Sequence, residues 1–204
     1  MAWTAPRTWV TAEVVTAAQM NEQVRDNSTW LKANTAQLIS ETVLTGDAAT
    51  ITFTSIPATF KHLQIKWFAR NDNDATNVEV QLTFNNDTGN NYDYMYHYSN
   101  DAGPGDVEVI GAANIVAGKC PAATAPADVF DGGEIIIPGY ASAVGEKSLY
   151  GHSSLKSADA GGNYYVFHWA GWWDATVAAI TEIDIDAEAG NFIAGSVFSL
   201  YGLP

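Results

Sequence analysis

Apolar and polar residues alternate along most of this chain, and the period of the alternation changes near Thr42. From there onward, apolar residues recur at every second position, as in the run 78–84. A period of two is typical of β-strands that bury one face. Clusters of Gly, Asn, Asp and Pro separate the alternating runs, as tight turns require. The pattern predicts about eight to ten strands, in residues 51–53, 63–67, 78–84, 92–98, 107–116, 129–137, 148–155, 164–173, 178–185 and 196–203.

Closely spaced strands with no helical segment between them predict a fold of two packed sheets. We expect a mainly β chain whose residues 41–204 form a jelly-roll-like antiparallel β-sandwich. A jelly roll is favoured because its two packed four-stranded sheets manage their exposed edges. We expect an extended N-terminal arm and one α-helix to precede the sandwich. From the patterns of the helix and of the arm, residues 1–40 are expected to serve attachment and oligomerisation.

The helix is predicted by the pattern of residues 16–38. Thr16 and Gln19 have the spacing of a capping box, and residues 17–37 contain neither Gly nor Pro. The stripe along this helix has heptad spacing with two polar insertions, which favours self-association, with a trimer as the expected oligomer. The alternative is a helix that packs on its own domain with both asparagines facing water. The stripe consists of Met20, Val24, Asn27, Leu31, Asn34 and Leu38.

The first 15 residues read as an extended arm. Pro6 disfavours an early helix, and Trp3, Trp9 and Val10 are costly to leave in water. Insertion into a partner explains such an arm better than free exposure does. The alternative is an arm that folds back over its own domain.

Charge and composition narrow the class of protein. Hydrophobic residues make up 47% and charged residues 16% of the chain, a composition that argues against disorder. The net charge of −14 lies entirely in residues 41–204, because residues 1–40 hold three basic and three acidic residues. Such an acidic domain repels phosphate backbones, so we expect no nucleic-acid partner. The apolar runs are too short to cross a bilayer and no signal peptide is visible, so we expect no membrane partner and a soluble product made in the cytoplasm.

The sequence contains none of the common motifs of catalytic, metal-binding or phosphate-binding sites that we considered. No two of the four histidines have the spacing of a zinc site, and no nucleophile elbow or phosphate-binding loop occurs. Cys120 is the only cysteine and is expected to be a small buried residue. Residues 71–74 and 85–91 are rich in Asn and Asp, and we favour turn chemistry there over a calcium site. We therefore expect no enzyme, no catalytic residue, no metal and no cofactor.

Aromatic residues form a second group of candidates. Four tyrosines alternate over residues 92–98, and their opposite-face neighbours are mostly polar. The tyrosine face is therefore expected to be the more covered one, in the core or against another subunit. The alternative is a platform that stacks on sugar rings. The candidate contact residues are Tyr92, Tyr94, Tyr96, Trp172 and Trp173.

The arm also carries a resemblance. Residues 9–10, 14–21 and 24–27 together resemble the N-terminal arm shared by many tailed-bacteriophage virion proteins. Residues 55–65 and 83–92, with the C-terminal 195–202, are similar to a phage structural-protein group. The resemblance implies a virion-surface role, such as capsid decoration, head fibre or tail fibre, and no catalytic residues.

Together these features predict a non-enzymatic virion structural protein that is attached by its arm to other capsid or tail proteins. It would display the acidic sandwich on the virion surface. The alternative function is a carbohydrate-binding tail-fibre adhesin that recognises a host-surface glycan.

Overall fold

Two antiparallel sheets form a β-sandwich in the computed structural model, which describes residues 3–100, 102–156, 164–174 and 178–204. The larger sheet has eight strands in the order β1-β12-β3-β8-β9-β10-β5-β6, and the smaller has four in the order β2-β11-β4-β7. The strands are β1 Gln37–Val43, β2 Thr50–Phe53, β3 His62–Ala69, β4 Asn77–Phe84, β5 Tyr92–Asn100, β6 Gly103–Ala112, β7 Ile115–Pro121, β8 Asp131–Pro138, β9 Lys147–Lys156, β10 Tyr164–Trp173, β11 Ile183–Ala187 and β12 Val197–Leu203.

Eight of these strands have jelly-roll pairing. Leaving out β5, β6, β9 and β10, the first strand pairs with the last, β1 with β12, and the second with the next to last, β2 with β11. The nesting continues with β3 on β8 and β4 on β7. The four-strand group β1-β12-β3-β8 is thus the counterpart of the smaller sheet β2-β11-β4-β7. The predicted antiparallel sandwich and its jelly-roll character are confirmed.

Two inserted hairpins make the sheets unequal. The β5–β6 hairpin is inserted between β4 and β7, and the β9–β10 hairpin between β8 and β11. Both hairpins join the same edge of the larger sheet, beyond β8. We call these four strands, β9, β10, β5 and β6, the wing. The expectation of two four-stranded sheets is therefore wrong for one of them, because the sequence pattern does not show which edge an inserted hairpin joins.

The helix begins where the sequence predicts. The Thr16 hydroxyl accepts a hydrogen bond from the Gln19 N–H, and the Gln19 side chain accepts one from the Thr16 N–H, so the capping box is confirmed. The helix consists of α1, Ala17–Met20, a π-helical segment, Asn21–Asp26, and α2, Asn27–Ala33. A π-helical segment changes the direction in which later side chains point, so the heptad spacing of the stripe does not produce a straight seam.

The helix ends earlier than predicted. α2 stops at Ala33, where the side chains of Asn34 and Thr35 donate to backbone carbonyl groups four residues earlier. These bonds satisfy carbonyls that a longer helix would have used. Leu38 consequently lies in β1, paired with β12, and its placement in the helical stripe is wrong. The division after residue 40 falls inside β1, so the sandwich begins at Gln37.

The core lies between the two sheets. Strand β4 alternates strictly between half-buried polar and buried apolar residues, as the period of two predicts. In the larger sheet, Gly133 and Gly151 make room for the indole rings of Trp67 and Trp169. A Cβ atom at Gly133 would lie 2.6 Å from the Trp67 ring, and one at Gly151 would lie 2.8 Å from the Trp169 ring. The two glycines therefore allow tryptophan to pack flat on neighbouring strands.

Cys120 lies in this core, fully buried on β7. Burial raises the pKa of its thiol to about 12, so the reactive thiolate is disfavoured. The expectation of a small buried residue is confirmed.

The loop at residues 71–74 has a structural role. Asp72 Oδ1 accepts from the Asn191 N–H at 2.6 Å, and Oδ2 accepts from Asn191 Nδ2 at 2.9 Å. The side-chain hydrogen bond is the main cause that lowers the pKa of Asp72. These contacts tie the β3–β4 loop to the β11–β12 loop, which supports the turn interpretation over a calcium site.

The loop at residues 85–91 is held from within as well. Asp87 accepts from Trp173 Nε1 at 2.7 Å, from the Gly89 N–H at 2.9 Å and from Asn91 Nδ2 at 3.0 Å. The bond from the indole N–H is the main cause that lowers the pKa of Asp87. Because Trp173 is buried in the core, Asp87 fastens the β4–β5 loop to the interior of the sandwich.

We predict that Asp87→Ala lowers the free energy of unfolding by about 1–3 kcal/mol, because the buried indole N–H loses its acceptor. The matched control is Asp74→Ala, an exposed aspartate in the neighbouring loop, which is expected to change it by less than about 0.5 kcal/mol. Urea denaturation at pH 7 measures both.

The contribution of Asp87 to the stability of the fold is expected to change with pH in one direction. The pKa of Asp87 is lower in the folded than in the unfolded chain, so its charge stabilises the fold above the unfolded pKa of about 3.9. That contribution is lost as the pH falls through the folded pKa. The difference between wild type and Asp87→Ala is expected to shrink below about pH 4, and a difference that grows there would contradict the assignment.

Candidate functional site

The N-terminal arm folds back on the helix. The Thr4 N–H donates to Asn27 Oδ1 at 3.0 Å, and Asn27 Nδ2 donates to the Thr4 carbonyl at 2.9 Å. The ring of Trp3 packs against that of Trp30, with 5.5 Å between the centroids. Asn27 is the only buried residue of the helix. It is engaged within its own chain and is not free for the helix–helix seam in which its spacing places it.

Polar contacts hold the next part of the arm. The Arg7 N–H donates to Gln23 Oε1 at 2.9 Å, and the Arg7 guanidinium pairs with Glu13. The same guanidinium lies 5.4 Å from the centroid of the Trp9 ring. The arm therefore packs on the helix and not over the sandwich. We call residues 3–33 the arm–helix unit.

The arm–helix unit leaves many large apolar side chains exposed. Eight large apolar side chains in it keep between 44% and 85% of their accessible surface, and none belongs to the buried core. A groove of about 340 Å³ runs between arm and helix. A short segment of this kind cannot bury such surface by itself, so it has the character of a contact surface. The eight side chains are Trp3, Trp9, Val10, Val14, Val15, Met20, Val24 and Leu31.

Two of the predicted stripe residues lie apart from this surface. Asn34 caps the end of α2 and, with Phe60 and Lys61, lines a cleft of about 310 Å³ between helix and sandwich. Leu38 is exposed on the edge strand β1. Of the predicted set, the structure brings together Trp3, Trp9, Val24, Asn27 and Leu31 around the groove between arm and helix. Met20 is exposed on α1 and does not line that groove.

The side chains of β5, the strand that carries the four tyrosines, alternate between a covered and an exposed face as predicted. Tyr94, Tyr96 and Tyr98 are half-buried on the inner face, while Met95 and His97 are exposed on the outer face. The expectation that the tyrosine face is the more covered one is confirmed.

Two of the aromatic candidates cannot meet a ligand. Tyr92 and Trp173 are enclosed in the core, with their rings stacked at 6.5 Å between centroids. Their assignment to a glycan or subunit contact is wrong, because the smaller sheet covers this end of the wing. Trp172 is exposed, but on the opposite face of the sheet from the tyrosines. Consecutive strand residues point to opposite faces of a sheet, so Trp172 and Trp173 cannot contact one sugar ring together.

A second concave surface lies where the wing extends past β7, the edge strand of the smaller sheet. Tyr96, Tyr98, Tyr165 and Phe167 face this step, and Lys119 on β7 forms its opposite side. The cavity has a volume of about 230 Å³. We call it the aromatic groove; Asn100 and Val107 complete its lining.

The groove is electrostatically mixed. Lys119 Nζ lies 3.5 Å from Glu79 Oε1 on the neighbouring strand. Burial raises the pKa of Glu79, and burial also raises the pKa of Tyr96 to about 12. At neutral pH, Tyr96 is therefore a phenol that can donate a hydrogen bond.

The sequence alone did not single out Tyr165, Phe167 or Lys119. The alternation over residues 164–173 carries the signal for the two rings, but only the pairing of β10 with β5 brings them beside the tyrosines. Lys119 belongs to the other sheet and reaches the groove through the sandwich packing.

Three of the four histidines lie in one row across the outer face of the wing. The cross-strand register places Glu134, His152, His168, His97 and Asp106 next to one another in that order. His97 Nδ1 is 2.6 Å from Asp106 Oδ1, and the rings of His152 and His168 are 6.2 Å apart. Across the described residues, no three such side chains converge on one metal position.

Comparisons of this chain with protein-family models, curated proteins and solved structures gave no match. Within the described ranges, no helix has both the length and the hydrophobicity of a membrane span.

We predict that Asn27→Ala releases the arm from the helix, because both hydrogen bonds to Thr4 are lost at about 0.5–1.5 kcal/mol each. Trypsin is then expected to cleave after Arg7 several times faster than in wild type. The exposed neighbour substitution Ser28→Ala should leave the rate unchanged. Equal cleavage of wild type and Asn27→Ala would contradict the role given to Asn27.

Proposed function

We propose that this chain is a non-enzymatic virion structural protein, joined to the particle by its arm–helix unit and displaying its acidic sandwich. One observation carries the proposal: eight large apolar side chains are exposed within residues 3–33, and none of that unit's apolar residues belongs to the buried core. The described part of the sandwich exposes ten such side chains over a much longer stretch and buries most of its apolar residues in a continuous core. Exposed apolar surface on one small element is the usual mark of a protein contact.

The free energy available from such a contact is large enough to hold the protein on a particle. Apolar burial contributes about 25 cal/mol per Å². Covering Trp3, Trp9 and the aliphatic side chains beside them therefore gives several kcal/mol before the cost of association is subtracted. Several copies that attach together add their contacts through effective concentration. Avidity of this kind suits a repeated particle surface.

The distribution of charge agrees with this orientation. Residues 1–40 are neutral, and all of the net charge of −14 lies in the remainder of the chain. A unit whose charges sum to zero can dock without net repulsion from a charged partner surface. An acidic sandwich stays hydrated and repels copies of itself. We therefore place the arm–helix unit against the particle and the sandwich in solvent.

Self-association belongs to the proposal. Met20, Val24 and Leu31 are exposed on the arm–helix unit, and we expect copies to meet through them as a trimer, although not along a straight coiled-coil seam. The partner of the arm is a capsid or tail protein. The resemblance of residues 9–27 to the arms of tailed-bacteriophage virion proteins supports this kind of particle.

The test is attachment to particles that lack the protein. We predict that the full chain sediments with such particles, whereas a chain without residues 1–34 stays in the supernatant. The cut at 34 leaves β1 intact, so the truncated chain is expected to keep its fold, which circular dichroism checks.

Point variants sharpen the result. Trp9→Ala is expected to weaken attachment about tenfold or more, as for an aromatic residue at the centre of an interface. Trp172→Ala removes a similarly exposed tryptophan from the sandwich and should have no effect. Attachment of the truncated chain at full strength would overturn the proposal.

A further inference from the structure

The aromatic groove is a consequence of the inserted hairpins. The wing continues the larger sheet past β7, so the rings of its inner face have no sheet packed over them at the step. Phe167 forms the floor and is buried, while Tyr96, Tyr98 and Tyr165 are half-buried around it. Neighbouring rings lie 5.7–6.5 Å apart, so they form one continuous aromatic surface.

We propose that the aromatic groove binds one pyranose ring of an uncharged saccharide. This role goes beyond particle attachment, since it uses residues of the wing and of β7 and none of the arm–helix unit. A pyranose has an apolar C–H face and a rim of hydroxyl groups. The groove matches both, with aromatic faces at its floor and polar groups at its edge.

The polar edge offers donors and acceptors that the protein leaves open. In the parts of the chain that the structure describes, the hydroxyls of Tyr96, Tyr98 and Tyr165 have no hydrogen-bond partner. Asn100 adds the NH₂ group of its amide, because its Oδ1 already accepts from the Ala102 N–H. Lys119 is paired with Glu79, and its ammonium group has three N–H donors, more than that one contact uses. Each sugar hydroxyl both donates and accepts, so this mixture can satisfy several of them at once.

Charge selects against acidic sugars. The sandwich carries the whole net charge of −14, and Glu79 already pairs with Lys119, the cation in the groove lining. A uronic or sialic acid would therefore meet repulsion without a free cation.

The same charge argues against a second copy of this chain as the occupant. Two acidic sandwiches repel each other, and a recess of about 230 Å³ accepts a single ring. A stable protein interface instead buries about 800 Å² on each side.

Saturation-transfer difference NMR on the full chain tests the proposal. The probes are the methyl glycosides of glucose, galactose, mannose, rhamnose and N-acetylglucosamine, with glucuronic acid as the acidic comparison. We expect transfer to the C–H face of at least one neutral glycoside and none to glucuronic acid. Absence of transfer to every neutral probe, or a preference for the acid, would overturn the proposal.

Two adjacent tyrosines supply a matched pair of variants. Tyr165→Ala removes a ring of the groove, and Tyr164→Ala removes an exposed ring from the other face of the same strand. The first is expected to weaken saccharide binding at least tenfold, and the second to leave it unchanged. Urea denaturation confirms that each variant folds. Asn100→Ala, which removes no ring, is a second groove variant and is expected to weaken binding severalfold.

Equal binding by wild type, Tyr165→Ala and Asn100→Ala would show that the saccharide sits elsewhere and would overturn the proposal. Hydroxyl-radical labelling of the tyrosines tests the remaining alternative, in which a second copy of the chain occupies the groove. Tyr98 and Tyr165 are expected to be labelled in the free protein and protected by the saccharide. The chain without residues 1–34 lacks the helix through which copies are expected to meet. Protection of these tyrosines without any saccharide in that truncated chain, at a mass that is still that of an oligomer, would assign the groove to a second copy instead.

Discussion

The packing of a four-stranded sheet on one that is twice as wide determines which apolar surfaces of this protein are covered. Where the two sheets overlap, Trp67, Trp169 and Trp173 are buried and the fold is stabilised. Where the smaller sheet ends at β7, the rings of the wing face an open step. The arm–helix unit lies outside the overlap altogether, so its apolar side chains have no sheet to cover them.

These two uncovered surfaces differ in chemistry, and the difference separates their proposed roles. The arm–helix unit presents aliphatic and indole groups over an extended element, among polar side chains whose charges sum to zero. Another protein surface is the natural cover for such a unit. The aromatic groove is recessed, with phenol, amide and ammonium groups around its rings. A small polar ring suits it better, so one chain can both attach to a particle and contact a saccharide.

The sequence predicted much of the fold, because a period of two and Asn- and Gly-rich turns are local signals. The capping box at Thr16 and the covered face of the tyrosine strand were predicted for the same reason. The end of the helix was not, since Leu38 fits a helical stripe by spacing and enters β1 only through pairing with β12. The groove depends on β10 meeting β5 across an inserted hairpin, and no local pattern encodes that pairing.

Protection of tryptophans during assembly tests the central claim most directly. Hydroxyl-radical oxidation followed by mass spectrometry reports the exposure of Trp3 and Trp9 in the free chain and on the particle, with Trp172 as an internal reference. Both arm indoles are expected to be oxidised in the free chain and strongly protected on the particle, while Trp172 keeps its rate. Arm indoles that stay as reactive as before, with Trp172 protected in their place, would contradict the account.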